Sequence, residues 1–346
     1  MDHIPIASRP DPAEHGGSLD AARRLFPEAP EPFIDLSTGI NPFAYPIPPL
    51  AEGPWTRLPE PSAITALEVT AAQAYGVSDA SMVVAASGSQ SLISLLPYIF
   101  RPASVAILGP TFGGYAPAFA AAGSRVTVVT TLAEAQGADA LVICNPNNPD
   151  GRSLKPEQIL AHLRKEKGHP LVIVDEAFAD FEEPSVSLAP SLPEVGLVIL
   201  RSFSKPYGLG GLRLGFALTR SGIAETIREA LGPWQVSGPA IEIGRLAFAH
   251  GAWREVTKAR LAADGKRLDA LLRDAGLKLV GGTALFRLVA SDRAGEIFEE
   301  LGRAGIFARR FCEHADWLRF GIPGDEEEWA QLTRALKRMD DKRRPG

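Results

Sequence analysis

The chain has 346 residues, 45% of them hydrophobic and 22% charged, with 36 Lys and Arg against 41 Asp and Glu for a net charge of −5. That length suggests about two domains, the apolar content excludes wholesale disorder, and the acidic balance argues against nucleic acid, which favours a basic patch. Two cysteines, Cys144 and Cys312, make neither a disulfide framework nor a metal site and fit a reducing compartment.

The N-terminus, MDHIPIASRPDPAEHGG, has no apolar core for a signal peptide. No run approaches the ~18–20 uninterrupted apolar residues of a membrane span. The expectation is a cytoplasmic protein with no membrane partner. Of 29 prolines, thirteen precede residue 62, which by composition alone reads as a linker. From there the pattern is regular. Residues 62–75 have helical spacing and stop before Gly76. Strand-like apolar runs follow at 82–86, 105–108, 126–130, 140–144, 171–174, 197–200 and 212–218, most of them apolar on both faces and so expected to be fully buried. Helical stretches at 89–100, 115–122 and 156–167 fall between them, which implies an α/β domain with a mostly parallel sheet. Past Trp234 the alternation stops. Residues 241–272 read as mostly helical, strands are expected at 278–280, 285–289, 306–308 and 317–320, and helices at 294–304 and 326–339. This is a smaller α+β unit, with a polar tail at 340–346.

Ligands of a parallel α/β sheet bind beyond the carboxyl ends of its strands, and there the sequence turns polar. Lys205 sits on a turn after an apolar strand and before Pro206. Desolvation and the nearby Arg213, expected at the start of the next strand, would make it a nucleophile; the plain alternative is a surface lysine. Asp175 ends a four-residue apolar run and needs a partner, either a protonated ring nitrogen or a structural ion pair. Ser87-Gly88-Ser89 opens a helix directly after a strand, a phosphate cradle or an ordinary cap. Ser202, Ser204 and Arg213 would complete an anion site. Asn147-Asn148-Pro149 is a tight turn whose Asn could also donate to a phenolate oxygen, and Phe112 either stacks on a planar ring or packs.

Order and placement decide between these readings. Ser202-Phe203-Ser204-Lys205 with Gly208–Gly215, the turn Asn145–Gly151 and Asp175-Glu176-Ala177-Phe178 together resemble the motifs of pyridoxal-phosphate enzymes of the aspartate-aminotransferase fold. The resemblance covers roughly residues 30–325. It implies a fold-type I α/β architecture: a large domain (46–240) with a mostly parallel seven-stranded sheet between helices, and a small α+β domain (241–346) joined by an N-terminal extended segment (1–45). The implied cofactor is pyridoxal 5'-phosphate, with no metal. Lys205 forms the Schiff base and Asp175 pairs with the ring nitrogen. Asn148 serves the phenolate oxygen, near Phe178, and Phe112 stacks. Ser202, Ser204, Arg213 and the Gly88-Ser89-Gln90 segment hold the phosphate. Arg319 matches the arginine that grips a substrate α-carboxylate.

Within that fold the chain resembles the histidinol-phosphate aminotransferase and threonine-phosphate decarboxylase families. The segment His15-Gly16-Gly17-Ser18 with Asp35–Pro42 favours the decarboxylases, as does Phe178 where the aminotransferases usually carry Tyr. Leu58 stands where many relatives have a Tyr that reaches the cofactor phosphate across a dimer. The resemblance implies an amino acid phosphate, L-threonine O-3-phosphate, as substrate, decarboxylated to (R)-1-aminopropan-2-yl phosphate for cobalamin synthesis. His15, Gly16, Asn41, Asn148, Arg309 and Arg319 would bind it, in a homodimer. The proline-rich N-terminal residues then read as an ordered wall of the substrate site. The alternative is a histidinol-phosphate-type aminotransferase; the remote one is a non-catalytic pyridoxal-phosphate-binding regulator.

Overall fold

The computed structural model describes residues 16–165, 171–183 and 185–341. They fall into two compact units: Phe43–Lys258, and the described residues up to Pro42 together with those from Ala259. The sequence reading put its divisions after residues 45 and 240; here the helix Gly238–Ala249 belongs to the larger unit.

The larger unit is built on strands β1 (Val83–Ala86), β2 (Ser104–Leu108), β3 (Arg125–Val129), β4 (Ala140–Cys144), β5 (Leu171–Asp175), β6 (Leu197–Ser202) and β7 (Gly215–Thr219). They form one seven-stranded sheet in the order β1-β7-β6-β5-β4-β2-β3, in which β7 alone runs against its neighbours. Alternate residues of the central strands enter different cores. Leu141, Ile143, Val172, Val174, Leu197 and Ile199 lie on one face; Val142, Cys144, Ile173, Val198 and Leu200 lie on the other. Cover on both faces is why these strands read as unbroken apolar runs. The helix Pro61–Tyr75 starts on a proline, whose missing N–H is no loss at that position, and stops at Gly76 in the left-handed region (φ 71°). The expected helix 156–167 is seen as Pro156–Lys165; residues 166–167 lie outside the described residues.

Two strands depart from expectation. β3 is not fully buried: it is the outermost strand, and Arg125, Thr127 and Val128 are exposed. The run 212–218 does not start as a strand. Arg213 adopts φ 52°, a left-handed conformation that interrupts extended backbone, so β7 begins only at Gly215. At the opposite edge of the sheet, Glu68 Oε1 accepts the Ala85 amide at 3.0 Å, and Arg228 Nη2 donates to the Val83 carbonyl at 3.0 Å and to Glu68 at 3.4 Å.

Arg201 on β6 locks the polar ends of two adjacent strands. It is buried, donates a hydrogen bond to Glu176 at 2.8 Å, forms an ion pair with Asp180 at 2.8 Å, and lies 4.3 Å from the Tyr75 ring centroid. Burial works against its charge, but Asp180 and Glu176 outweigh that and raise its pKa. Arg201→Met would leave two buried carboxylates short of their cation. It should cost about 3–5 kcal/mol, the range for breaking a buried pair, read as a lower urea midpoint at unchanged slope. A loss below about 1 kcal/mol would mean that Arg254, 3.8 Å from Asp180, takes over the pairing.

In the smaller unit Ile34–Asp35 pairs in parallel with Ile306–Phe307. A four-stranded antiparallel sheet runs in the order Arg309–Arg310, Trp317–Gly321, Phe286–Ala290, Lys278–Thr283. The unit also holds the helices Leu19–Leu25, Ala294–Arg303 and Glu326–Asp341, the last including the first residues of the expected tail, and the part of the helix Gly251–Asp274 from Ala259 on. Ile306–Phe307 falls within the strand expected at 306–308, whereas Ile34–Asp35 and Arg309–Arg310 were not expected, being too short to carry a period. No helix among the described residues is long and apolar enough to cross a membrane.

Candidate active site

The sequence sends its parallel strands to end on polar residues, and the fold brings those ends together in the larger unit. Asp175 closes β5, between Cys144 of β4 and Leu200 of β6. Its Oδ2 accepts the Tyr115 hydroxyl at 2.8 Å and its Oδ1 the Ala177 amide at 3.0 Å. Burial raises its pKa; Tyr115, the Ala177 amide and the charge of Lys205 pull the other way. Lys205 follows β6 by three residues and is half-buried, its Nζ 5.5 Å from the Phe178 ring centroid. Ser202 and Ser204 are buried beside it.

Arg213 faces the start of the helix Ser89–Phe100. Gly88 caps that helix at φ 82°, and a Cβ there would lie 2.6 Å from the Arg213 Nη2. Arg213 Nη1 donates to the Gly210 carbonyl at 2.9 Å and reaches Ser204 Oγ at 3.5 Å. Gly215 serves the same spot, since a side chain there would collide with the amide of Ser89. Two glycines thus keep a helix N-terminus, a guanidinium and a hydroxyl in one concavity. Gln90 stands apart from it: the side chain is exposed and its Nε2 reaches Ser94 Oγ at 3.4 Å.

Phe112 meets Tyr115 edge to face at 6.1 Å between centroids. The neighbouring turn is held by Asn147. Asn147 donates to the Pro110 carbonyl at 2.9 Å and Asp150 at 2.7 Å and accepts Thr111 Oγ1 at 2.6 Å. Asn148 is half-buried next to it.

Of the expected substrate groups, Gly16, Asn41, Arg309 and Arg319 lie in the smaller unit and Asn148 in the larger. Arg319 is buried on its strand and donates to the Ser37 carbonyl at 2.5 Å. Its guanidinium lies 4.9 Å from the Phe286 ring centroid. Arg309 is its direct cross-strand partner. Burial first, then the like charge of Arg309, lower its pKa to about 9, against the pull of Asp35. Ser37 is a hub: its Oγ donates to Asp35 at 2.5 Å and accepts the Gly17 amide at 2.7 Å. A Cβ on Gly16 would strike the Ser37 carbonyl and hydroxyl. Asn41 is buried in the same unit. Arg309 lies 5.2 Å from the Phe311 ring and Arg310 4.9 Å from the Phe298 ring. His15 lies outside the described residues. Among the described residues no group of His, Cys, Asp and Glu could hold a metal ion.

The aminotransferase class I and II family model matches residues 31–336. The chain belongs to the class I and II aminotransferase family. Within the family it is 39% identical over 330 residues to the threonine-phosphate decarboxylase of Pseudomonas aeruginosa, covering 93% of this chain and 97% of that one. It is 39% identical over 336 residues to the threonine-phosphate decarboxylase of a Sinorhizobium species, covering 95% and 99%. The solved histidinol-phosphate aminotransferase of Sinorhizobium meliloti, in complex with pyridoxal-5'-phosphate, shares the fold with a TM-score of 0.78 at 19% identity, covering 99% of this chain and all of that one.

The residues present fit the cofactor of this family. A bound phosphate needs amides, a cation and hydroxyls in a concavity, which the Gly88–Gly215 cradle supplies. A pyridinium nitrogen needs a buried acceptor, and Asp175 is one. An aldehyde needs an amine, and Lys205 stands by Phe178 and within the field of Asp175. The sequence assigns no role to Ser37 or Gly215, reads Asn147 only as part of the Asn147-Asn148-Pro149 turn, and leaves open whether Tyr115 touches a ligand. The one available signal was at Tyr115, which follows Phe112 by three residues at the start of a helix.

Proposed function

We propose that this chain is a pyridoxal-phosphate-dependent decarboxylase that converts L-threonine O-3-phosphate to (R)-1-aminopropan-2-yl phosphate, a step serving cobalamin synthesis. The observation that carries this reading is the match to two threonine-phosphate decarboxylases along nearly their whole lengths. Phe178, a ring without a hydroxyl beside Lys205, supports it.

Pyridoxal phosphate, when bound, supplies an electron sink for the pair left on the α-carbon. The chain's residues do the rest. Arg213, Ser202, Ser204 and the helix start at Gly88-Ser89-Gln90 hold the cofactor phosphate, with the backbone amides of Ser89 and Gln90 as donors, since the Gly88 amide already donates to the Ala86 carbonyl at 2.7 Å. Phe112 covers the ring, Asn148 donates to its phenolate oxygen, and Asp175 keeps a proton on its nitrogen. Lys205 provides the amine that anchors the cofactor and afterwards delivers a proton to the α-carbon. Arg319 binds the substrate carboxylate, and where it holds that group decides which α-carbon bond is weakened. Arg309, with Gly16, Asn41 and His15, takes the substrate phosphate end. The reading includes a cytoplasmic homodimer. Ile47, Trp55 and Leu58 are each more than half exposed, which supports an apolar surface covered by a second copy.

The deciding experiment supplies L-threonine O-3-phosphate and the cofactor, with and without a 2-oxo acid. Carbon dioxide and the amine phosphate should form in equal amounts without the acceptor. Conversion that requires the acceptor would make the chain an aminotransferase instead.

A further inference from the structure

Tyr115 has no part in the function just described, yet its hydroxyl is one of the two hydrogen-bond donors on the Asp175 carboxylate. It opens the helix Tyr115–Ala121, is 1% exposed, and spends its phenol on Asp175 Oδ2 at 2.8 Å. The same ring stands edge-on to Phe112, with an interplanar angle of 89°. One side chain therefore touches both groups expected to meet the cofactor ring, the carboxylate by its tip and the aromatic by its edge. We propose that Tyr115 is a positioning residue that holds Asp175 as an aimed, ionised carboxylate and Phe112 in its stacking orientation.

The chemistry favours this over plain packing. Both oxygens of Asp175 face donors, one O–H and one N–H, and such a pair stabilises the anion over the acid. Burial, then the Asp175 charge, raise the pKa of the phenol well above its usual value, so it keeps its proton and remains the donor. Without that donor, burial would act on Asp175 with one amide and Lys205 as the remaining counterweights. A neutral Asp175 could not hold a proton on the ring nitrogen by charge.

The inference rests on the cofactor assignment, and the test separates the two. Apoprotein of the wild type, Tyr115→Phe, Asp175→Asn and the double variant is titrated with pyridoxal phosphate labelled with 15N in its ring. Tyr115→Phe should weaken cofactor affinity about ten- to a hundredfold, the range for a hydrogen bond to a charged group. It should also move the ring-nitrogen signal toward the neutral value. In the Asp175→Asn background the same change should cost no more than about twofold, because the charged acceptor is already gone. Tyr115→Leu, which also removes the ring edge, should lose more than Tyr115→Phe. Equal affinity and signal in Tyr115→Phe and wild type, or equal losses in both backgrounds, would overturn the role of Tyr115. A wild type that binds no cofactor would overturn the cofactor assignment instead. Should Tyr115→Phe fail to fold by circular dichroism, 3-fluorotyrosine at position 115 keeps the ring and strengthens the donor. It should then move the nitrogen signal, and an unmoved signal counts against the proposal.

Discussion

Lys205→Ala should abolish the borohydride-stable label that the wild type gains from pyridoxal phosphate, and should cut turnover roughly 10²–10⁴-fold or more. The lysine follows β6 on a turn that begins at Phe203 and Ser204, with Phe203 fully buried as its anchor. Its amine lies over the Phe178 ring and within the field of Asp175. No other lysine is tied to Asp175 among the described residues. Peptide mass mapping after reduction should place the label on Lys205. A label on any other lysine, or a fully labelled Lys205→Ala variant, would sink the assignment. The variant should still bind the cofactor phosphate weakly, because the Gly88–Arg213 cradle is untouched.

Arg319→Met should lower kcat/KM by about 10²-fold, in line with the loss of a charge-assisted, two-pronged bond to a carboxylate. The pH dependence gives a second reading. Burial and the cross-strand Arg309 bring the Arg319 pKa down to about 9. A carboxylate prefers the charged guanidinium, so the affinity of the wild type should be steady below that value and fall as pH rises through it. Arg319→Met should lack that fall. The same displacement acts on stability with a defined sign. Between about 9 and the ordinary arginine value the unfolded chain binds the proton that the native chain has released, so this group adds stability as pH rises through that window. An unaltered kcat/KM, or an identical pH profile in the variant, would remove Arg319 from the substrate site.

Much of this was legible in the sequence, and the exceptions have a physical pattern. β4, β5 and β6 announce themselves because strands covered on both faces must be apolar throughout. Asp175 and Lys205 stand out because a charge directly after such a run calls for a partner. The outermost strand β3, RVTVV, mixes Arg125 and Thr127 with its valines, and its place at the end of the sheet order leaves Val128 exposed as well. The start of β7 was misplaced because Arg213 takes a left-handed conformation that a sequence of Leu, Arg and Gly does not display. Tyr115 was left open because its partner is sixty residues away, and Ser37 because Arg319 is 282 residues away. Such contacts are products of the fold, invisible to any local pattern. Asn147 shows the finer limit: that its amide holds the turn, through Pro110 and Asp150, becomes visible only when the turn is folded.

The pairing of Glu68 with Arg228 at β1 gives the two sides of the large sheet different fates. One side chain accepts where a neighbouring strand would accept, the other donates where it would donate, and together they impersonate an eighth strand. That margin of the sheet is finished. β3, with Val128 61% exposed, is not. If this sheet is extended by another chain, in crystallisation, in assembly or in the early stages of heat-induced aggregation, the extension grows from β3, because at β1 the seats are already taken.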